Sequence, residues 1–151
     1  FGGWGVVLVI TALVTFLPGV LERWKFTHAL VAHTHLAMAG MVTCMAVLVL
    51  LVLDDGNRWR AAFMRAGPFA AWHLGLLVHA LALLLLGTVE GERPDLLFFA
   101  DAPSRWAFAI RLAAGLLMTW ASYRWLTLVL RSCLAGAVHT SPASPQPGDP
   151  P

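Results

Sequence analysis

Two long stretches of this sequence contain no charged residue, and this feature constrains the fold more than any other. The first runs from Phe26 to Leu53 (28 positions) and the second from Ala66 to Val89 (24 positions). A transmembrane α-helix needs about 20 consecutive apolar residues to cross the hydrocarbon core of a bilayer. The two stretches therefore predict transmembrane helices at about 27–53 and 68–89.

Two further apolar segments, at about 4–20 and 105–130, also have the length of a membrane span. The first is uncharged, and beyond the first position of the second only Arg111 and Arg124 interrupt the apolar residues. The chain is 59% hydrophobic and 12% charged, with a mean hydropathy of +0.75, which excludes an ordinary soluble domain. We therefore predict an all-α integral membrane protein with four antiparallel transmembrane helices within residues 1–133.

The segment 134–151 is proline-rich and has few apolar side chains, so we predict a disordered tail. The formal net charge of +2 includes no polybasic block, and the expected partner is therefore membrane lipid and not nucleic acid. Lys and Arg number five on the side of the C-terminus against four on the other side, which favours a cytoplasmic C-terminus. Because the chain opens in an apolar run without a basic leader, we expect a piece of a longer polypeptide.

Two histidines, His33 and His35, lie inside the second predicted span. Successive residues of an α-helix are about 100° apart, so the two imidazoles are expected to project from opposite faces. A single metal ion would need ligands three or four residues apart, whereas two separate centres suit opposite faces. Burial of an ionisable side chain in lipid favours a functional role over simple hydrogen-bonded packing. Two haems flanking this helix would satisfy the spacing, and the small neighbours would leave room for a flat ring: Ala32, Thr34, Ala37, Ala39 and Gly40.

The stretch THALVAHTHLAMAGMVT at 27–43 resembles the tenth helix of subunit I in the haem–copper oxidase superfamily, which includes respiratory oxidases and bacterial nitric oxide reductases. This resemblance implies that the four helices correspond to helices nine to twelve of a twelve-helix subunit. It implies that His33 is the proximal ligand of a high-spin haem and His35 an axial ligand of a low-spin haem. The copper or non-haem iron of the family would be held by upstream residues that lie outside this sequence.

The resemblance also implies a function. Electrons would pass from the low-spin haem to the high-spin haem and its partner metal, where dioxygen or nitric oxide is reduced. The expected partners are the upstream helices of the same subunit, other respiratory subunits, and a cytochrome c or quinol donor. The expected location is a bacterial-type cytoplasmic membrane, crossed several times. By itself, these 151 residues are expected to be inactive.

Three arginines are expected on the same side of the membrane as the paired histidines: Arg93, Arg105 and Arg111. In the resembled family, basic residues at the connection between the last two helices bind haem propionates, and the planar guanidinium suits a carboxylate. Arg111 is the strongest candidate because it lies about two turns inside the last span, where a bare charge is costly. The alternatives are snorkelling, a surface position, or pairing with Asp101 or Glu90.

Two other functions remain open at this point. A four-helix membrane cytochrome b for quinone-linked electron transfer would need a second ligand at matching depth, either His73 or His79. A structural or assembly protein without a cofactor would use its histidines for hydrogen bonds between helices. His28 lies on nearly the same face as His35 and closer to water, where it would contact a propionate or serve no function.

Overall fold

The computed structural model describes residues 2–54, 58–93 and 102–139. All regular structure in these ranges is helical and none is strand, which confirms the all-α prediction. The elements are α1 (Gly3–Thr15), α2 (Val20–Trp24), α3 (His28–His35), a π-helical segment (Leu36–Val42), α4 (Thr43–Val52), α5 (Arg58–Phe63), α6 (Ala66–Glu92) and α7 (Ala102–His139).

Two of the helices are long and apolar enough to cross a membrane. One is the continuous helix His28–Val52, formed by α3, the π-helical segment and α4, and the other is α6 (Ala66–Glu92). Their bounds agree within three residues with the predicted spans at 27–53 and 68–89. The length and composition of these two helices support a membrane protein.

The other two predicted spans differ from the helices of the structure. The apolar helix α1 has 13 residues and ends at Thr15, so it is about 20 Å long against a hydrocarbon core of about 30 Å. The left-handed Gly19 (φ 77°) then starts the short helix α2. Helix α7 covers 105–130 and continues to His139, past the predicted start of the tail at 134, whereas residues 140–151 lie outside the described ranges.

Helix α3 begins at a defined cap. Phe26 adopts a left-handed conformation (φ 67°) and turns the chain out of α2. Thr27 then has extended backbone, and its hydroxyl accepts a 3.2 Å hydrogen bond from the main-chain nitrogen of Ala29. A threonine at this position satisfies one of the free N–H groups of the first helical turn. This cap fixes where the helix that carries His33 and His35 starts.

Helix α6 packs against both α3 and α7, and its glycines allow close approach. A Cβ atom on Gly75 would lie 2.7 Å from the Cγ atom of Met118 on α7, and one on Gly87 would lie 2.6 Å from the Cα atom of Ala29 on α3. Helices in membranes associate through such small residues because there is no hydrophobic driving force between them. The position of α3, and of its histidines, is therefore set by α6.

The opposite end of the bundle holds a cluster of large apolar side chains. Val47 of α4, Phe63 of α5 and Trp125 of α7 are buried together, and the ring of Trp72 of α6 lies tilted against that of Trp125, with centroids 5.5 Å apart. Aromatic contacts of this kind stabilise beyond the area they bury. Helices α4, α5, α6 and α7 thus meet here, towards the other end of the continuous helix His28–Val52 from the paired histidines.

Candidate functional site

The paired histidines end α3, and the backbone changes conformation directly after them. Residues Leu36–Val42 form a π-helix of seven residues, and the Thr43 hydroxyl donates to the main-chain oxygen of Met38, five residues earlier. π-Helical turns are rare inside α-helices and occur frequently at functional sites. No pattern in the sequence predicted this segment, which lies immediately beside His35.

The imidazole of His33 points towards α1. Its Nδ1 atom lies 3.0 Å from the hydroxyl oxygen of Thr11, and that hydroxyl donates a 3.0 Å hydrogen bond to the main-chain oxygen of Leu8. A threonine hydroxyl has one proton, so its oxygen must accept the bond from His33. Nδ1 of His33 therefore carries the ring proton, and Nε2 of the neutral ring presents a lone pair.

The imidazole of His35 points towards α6. Its Nδ1 atom lies 2.9 Å from the main-chain oxygen of Val31, and because a carbonyl only accepts, Nδ1 is again the donor. The ring centroid lies 5.0 Å from that of His79 on α6, with 40° between the ring planes. Nε2 of His35 is therefore also left with a lone pair.

The contacts of the two rings confirm that His33 and His35 project from different faces of the helix. One meets α1 and the other meets α6, and both side chains are half-buried. A metal-binding histidine commonly donates its second ring nitrogen to a carbonyl or another acceptor, which fixes the tautomer and the ring orientation. Both rings have this arrangement, so each can offer Nε2 to a separate metal centre.

The two histidines of α6 have opposite tautomers. The Nδ1 atom of His79 donates to the main-chain oxygen of Arg111 at 3.3 Å. By contrast, Nδ1 of His73 accepts a 2.7 Å hydrogen bond from the indole nitrogen of Trp4, so the proton of its neutral ring is on Nε2. His73 therefore links α6 to α1, whereas His79 lies beside the candidate ligand His35.

His28 forms a compact polar pair with Glu90 at the start of α3. Its Nδ1 atom lies 2.6 Å from one carboxylate oxygen of Glu90, and its main-chain nitrogen donates to the other oxygen at 2.9 Å. The ring of Phe108 on α7 meets the His28 ring edge-on, with centroids 5.5 Å apart. Both oxygens of Glu90 thus bind residue 28, and the structure shows no pairing of Glu90 with an arginine among the described residues.

The structure brings one of the three candidate arginines close to the histidines. Arg111 is half-buried, its guanidinium carbon lies 4.8 Å from the ring centroid of Phe108, and its main-chain oxygen accepts from His79. Arg105, in the first turn of α7, and Arg93, directly after α6, are exposed. Asp101, the other expected acidic partner, lies outside the described residues.

The small residues beside the histidines do not all leave open space. Ala32 is fully buried, and a Cβ atom on Gly40 would lie 3.3 Å from the Cβ atom of Trp4 and 3.4 Å from the Cδ2 atom of Leu76. These two residues therefore serve close helix packing. Ala37 and Ala39 are half-buried and Thr34 is exposed, so only these remain candidates for the surface of a flat ring.

Within the ranges that the structure describes, no three His, Cys, Asp or Glu side chains group to hold a metal ion. A haem needs only one or two axial protein ligands. The finding therefore concerns metal sites built from several protein side chains and not a haem.

Comparison with known proteins gave no matching family model, no matching curated protein and no matching solved structure.

Proposed function

We propose that this chain is the C-terminal part of a membrane haem–copper-type oxidoreductase. Electrons would pass from a low-spin haem on His35 to a high-spin haem on His33, whose partner metal, copper or non-haem iron, is held by upstream helices. One observation carries the proposal: the two imidazoles point to different sides of one helix, and each is anchored through Nδ1 with Nε2 free for iron.

In this proposal, Thr11 and Val31 orient the two histidines that would bind the haems. Thr11 holds the ring of His33, and the carbonyl of Val31 holds the ring of His35, so each ligand keeps one orientation and one tautomer. Redox chemistry belongs to the haems when they are bound, and the reduced substrate is dioxygen or nitric oxide. Hydrogen bonds to the axial imidazoles tune the reduction potentials.

Arg111 is the best supported propionate contact. Arg111 is half-buried, its guanidinium carbon lies 4.8 Å from the ring centroid of Phe108, and its main-chain oxygen accepts from His79, the neighbour of His35. A fixed planar guanidinium can bond a carboxylate through two parallel hydrogen bonds. Arg93 and Arg105 are exposed at helix ends, where they would reach a propionate only at the rim of the site.

The four-helix cytochrome b is the second candidate because His35 and His79 lie against each other. For a bis-histidine haem, however, a porphyrin has to fit between the two rings. Leu36 of the π-helical segment and Leu76 and Leu83 of α6 are fully buried, and Leu76 approaches Gly40 of the π-helical segment. The contact of Gly87 with Ala29 also holds α3 and α6 together. This packing favours two haems on opposite sides of the helix over one haem between His35 and His79.

The proposed setting is a bacterial-type cytoplasmic membrane, crossed several times, with the C-terminus in the cytoplasm. The apolar helices His28–Val52 and Ala66–Glu92 support a membrane location. Beyond lipid, the proposed partners are the upstream helices of the same subunit, other respiratory subunits, and a cytochrome c or quinol that supplies electrons.

The test is a reduced-minus-oxidised spectrum of the full-length protein in purified membranes. We expect His33→Ala to lose the high-spin haem and His35→Ala to lose the low-spin haem. His73→Ala is the control, because its Nδ1 accepts from Trp4, and we expect it to keep both haems. A wild-type protein without haem bands would leave only the structural role, and loss of the same single species in His35→Ala and His79→Ala would favour the cytochrome b.

A further inference from the structure

We propose that His79 is a positioning residue that fixes the plane of the His35 imidazole. This inference rests on the proposed function, since it assigns a second residue to the low-spin haem ligand. Neither the spacing of the histidines nor the resemblance to oxidases assigned His79 to that ligand. The inference comes from three contacts: His35 with His79, His79 with the main-chain oxygen of Arg111, and the guanidinium of Arg111 with Phe108.

The first contact is between the two rings. Their centroids are 5.0 Å apart with a tilt of 40°, so the His79 ring covers one flank of the His35 ring. His35 is already held at Nδ1 by the main-chain oxygen of Val31. That hydrogen bond limits rotation of the ring about the Cβ–Cγ bond but still permits smaller tilts, and the His79 ring blocks such tilts on the side facing α6.

The second contact fixes His79 itself. Its Nδ1 atom donates to the main-chain oxygen of Arg111, which lies inside the long helix α7. A helix carbonyl has a second lone pair beyond its helical hydrogen bond and cannot move without the helix. His79 is therefore anchored to the backbone of α7, and its half-buried ring restricts the orientation of the His35 ring.

The third contact ties this arrangement to the candidate propionate site. Arg111 supplies its carbonyl to His79 and places its guanidinium over Phe108. Arg111 of α7 thus holds His79 beside the proposed axial ligand His35, and it also supplies the guanidinium proposed to bind the propionate. Partners of this kind behind a metal ligand set its orientation, and their loss changes the properties of the metal.

The test uses the electron paramagnetic resonance spectrum of the oxidised full-length protein, because the g-values of a low-spin ferric haem respond to the plane of its axial imidazole. We expect His79→Ala to shift or broaden the largest low-spin g-value beyond the line width. We expect His79→Phe, which keeps a ring but loses the bond to Arg111, to shift it less. His73→Ala on the same helix is the matched control and should leave the g-values unchanged.

Two results would overturn the inference. Unchanged g-values in His79→Ala would show that His79 does not position His35. Loss of the low-spin haem in both His79 variants, with the high-spin haem intact, would make His79 an axial ligand instead. Should His79→Ala fail to accumulate in the membrane, the same criterion is applied to His79→Val, which removes the ring but leaves a small apolar side chain.

A measurement without haem separates this inference from the proposed function. In haem-free full-length protein labelled with ¹³C and ¹⁵N at histidine, we expect the His35 ring to be rigid in wild type and to have a lower ring order parameter in His79→Ala, whereas the Nδ1–H tautomer held by Val31 persists in both. This result would stand even if the wild-type protein showed no haem bands. An unchanged order parameter of the His35 ring in His79→Ala would refute the positioning role whatever the spectra of the haems.

Discussion

Gly87 on α6 lies directly against the backbone of Ala29 on α3. A Cβ atom at position 87 would stand 2.6 Å from both the Cα and the Cβ atom of Ala29, a distance at which neither atom can stay in place. Ala29 is itself fully buried. The contact lies two residues after Thr27, the cap of α3, so it determines how the helix with the paired histidines meets α6.

Gly87→Ala is therefore expected to destabilise the protein. The added methyl group meets backbone and not a flexible side chain, and overpacking of this kind costs about 1–3 kcal/mol or more. Gly115→Ala is the control, because a Cβ atom there has no neighbour within 4 Å, and it should stabilise α7 by up to about 1 kcal/mol. Unfolding in detergent with increasing dodecyl sulfate measures both, and equal midpoints for the two variants would contradict the packing.

Glu90→Ala is expected to loosen the start of α3. Its carboxylate accepts from the main-chain nitrogen and from Nδ1 of His28, and both side chains are at most 20% exposed. Hydrogen bonds to a charged group contribute roughly 1.5–3 kcal/mol each. Glu92→Ala changes an exposed residue of the same helix and should alter stability by less than about 0.5 kcal/mol. Hydrogen exchange at the first turn of α3 would rise in the first variant only.

Thr11→Val is expected to weaken the axial bond of His33. The substitution keeps the shape of the side chain but removes the oxygen that accepts from Nδ1. Loss of such a partner typically costs 10–100-fold in metal affinity, and the iron–histidine stretching frequency of the reduced high-spin haem should fall. Thr15→Val removes a hydroxyl that bonds the main-chain oxygen of Thr11 on the same helix. That control should leave the resonance Raman line in place.

Asp54→Ala is expected to destabilise α5. One carboxylate oxygen of Asp54 accepts from the main-chain nitrogen of Trp59 at 2.6 Å and lies 3.4 Å from that of Arg60. Loss of such a cap costs about 0.5–2 kcal/mol. Asp54→Asn retains an acceptor and should recover most of the stability in thermal unfolding. Equal melting temperatures for the alanine and asparagine variants would show that the cap contributes nothing.

The helices could be predicted from the sequence where the apolar pattern is uninterrupted. The charge-free runs gave the helices His28–Val52 and Ala66–Glu92 within three residues, because hydropathy and helix length are local properties. The end of α1 at Thr15 was not predicted, since Phe16 and Leu17 are as apolar as the residues before them. Only Pro18 and Gly19 marked the turn, and the predicted span 4–20 includes both.

The directions in which His33 and His35 project could be predicted from the sequence, but the residues that contact them could not. The spacing of His33 and His35 predicted opposite faces because helix geometry is the same in every chain. Thr11 and His79 are separated from their partners by 22 and 44 residues in sequence, and such pairings depend on how the helices pack. Thr11 and Thr15 are the two hydroxyl side chains of the apolar segment 4–20, and nothing in the sequence showed which of them contacts His33. No pattern in the sequence distinguished His79 from His73.

The π-helical segment Leu36–Val42 divides the long helix into two halves with separate neighbours. The half with the imidazoles is held by α1 and α6, and the other half is held through Val47 by the aromatic cluster at Phe63 and Trp125. Removal of one residue from the segment would turn one half against the other by about 100°. The number of residues between Leu36 and Val42 therefore determines how the two halves of the helix are rotated relative to each other. This segment should tolerate exchanges of side chains far better than insertions or deletions.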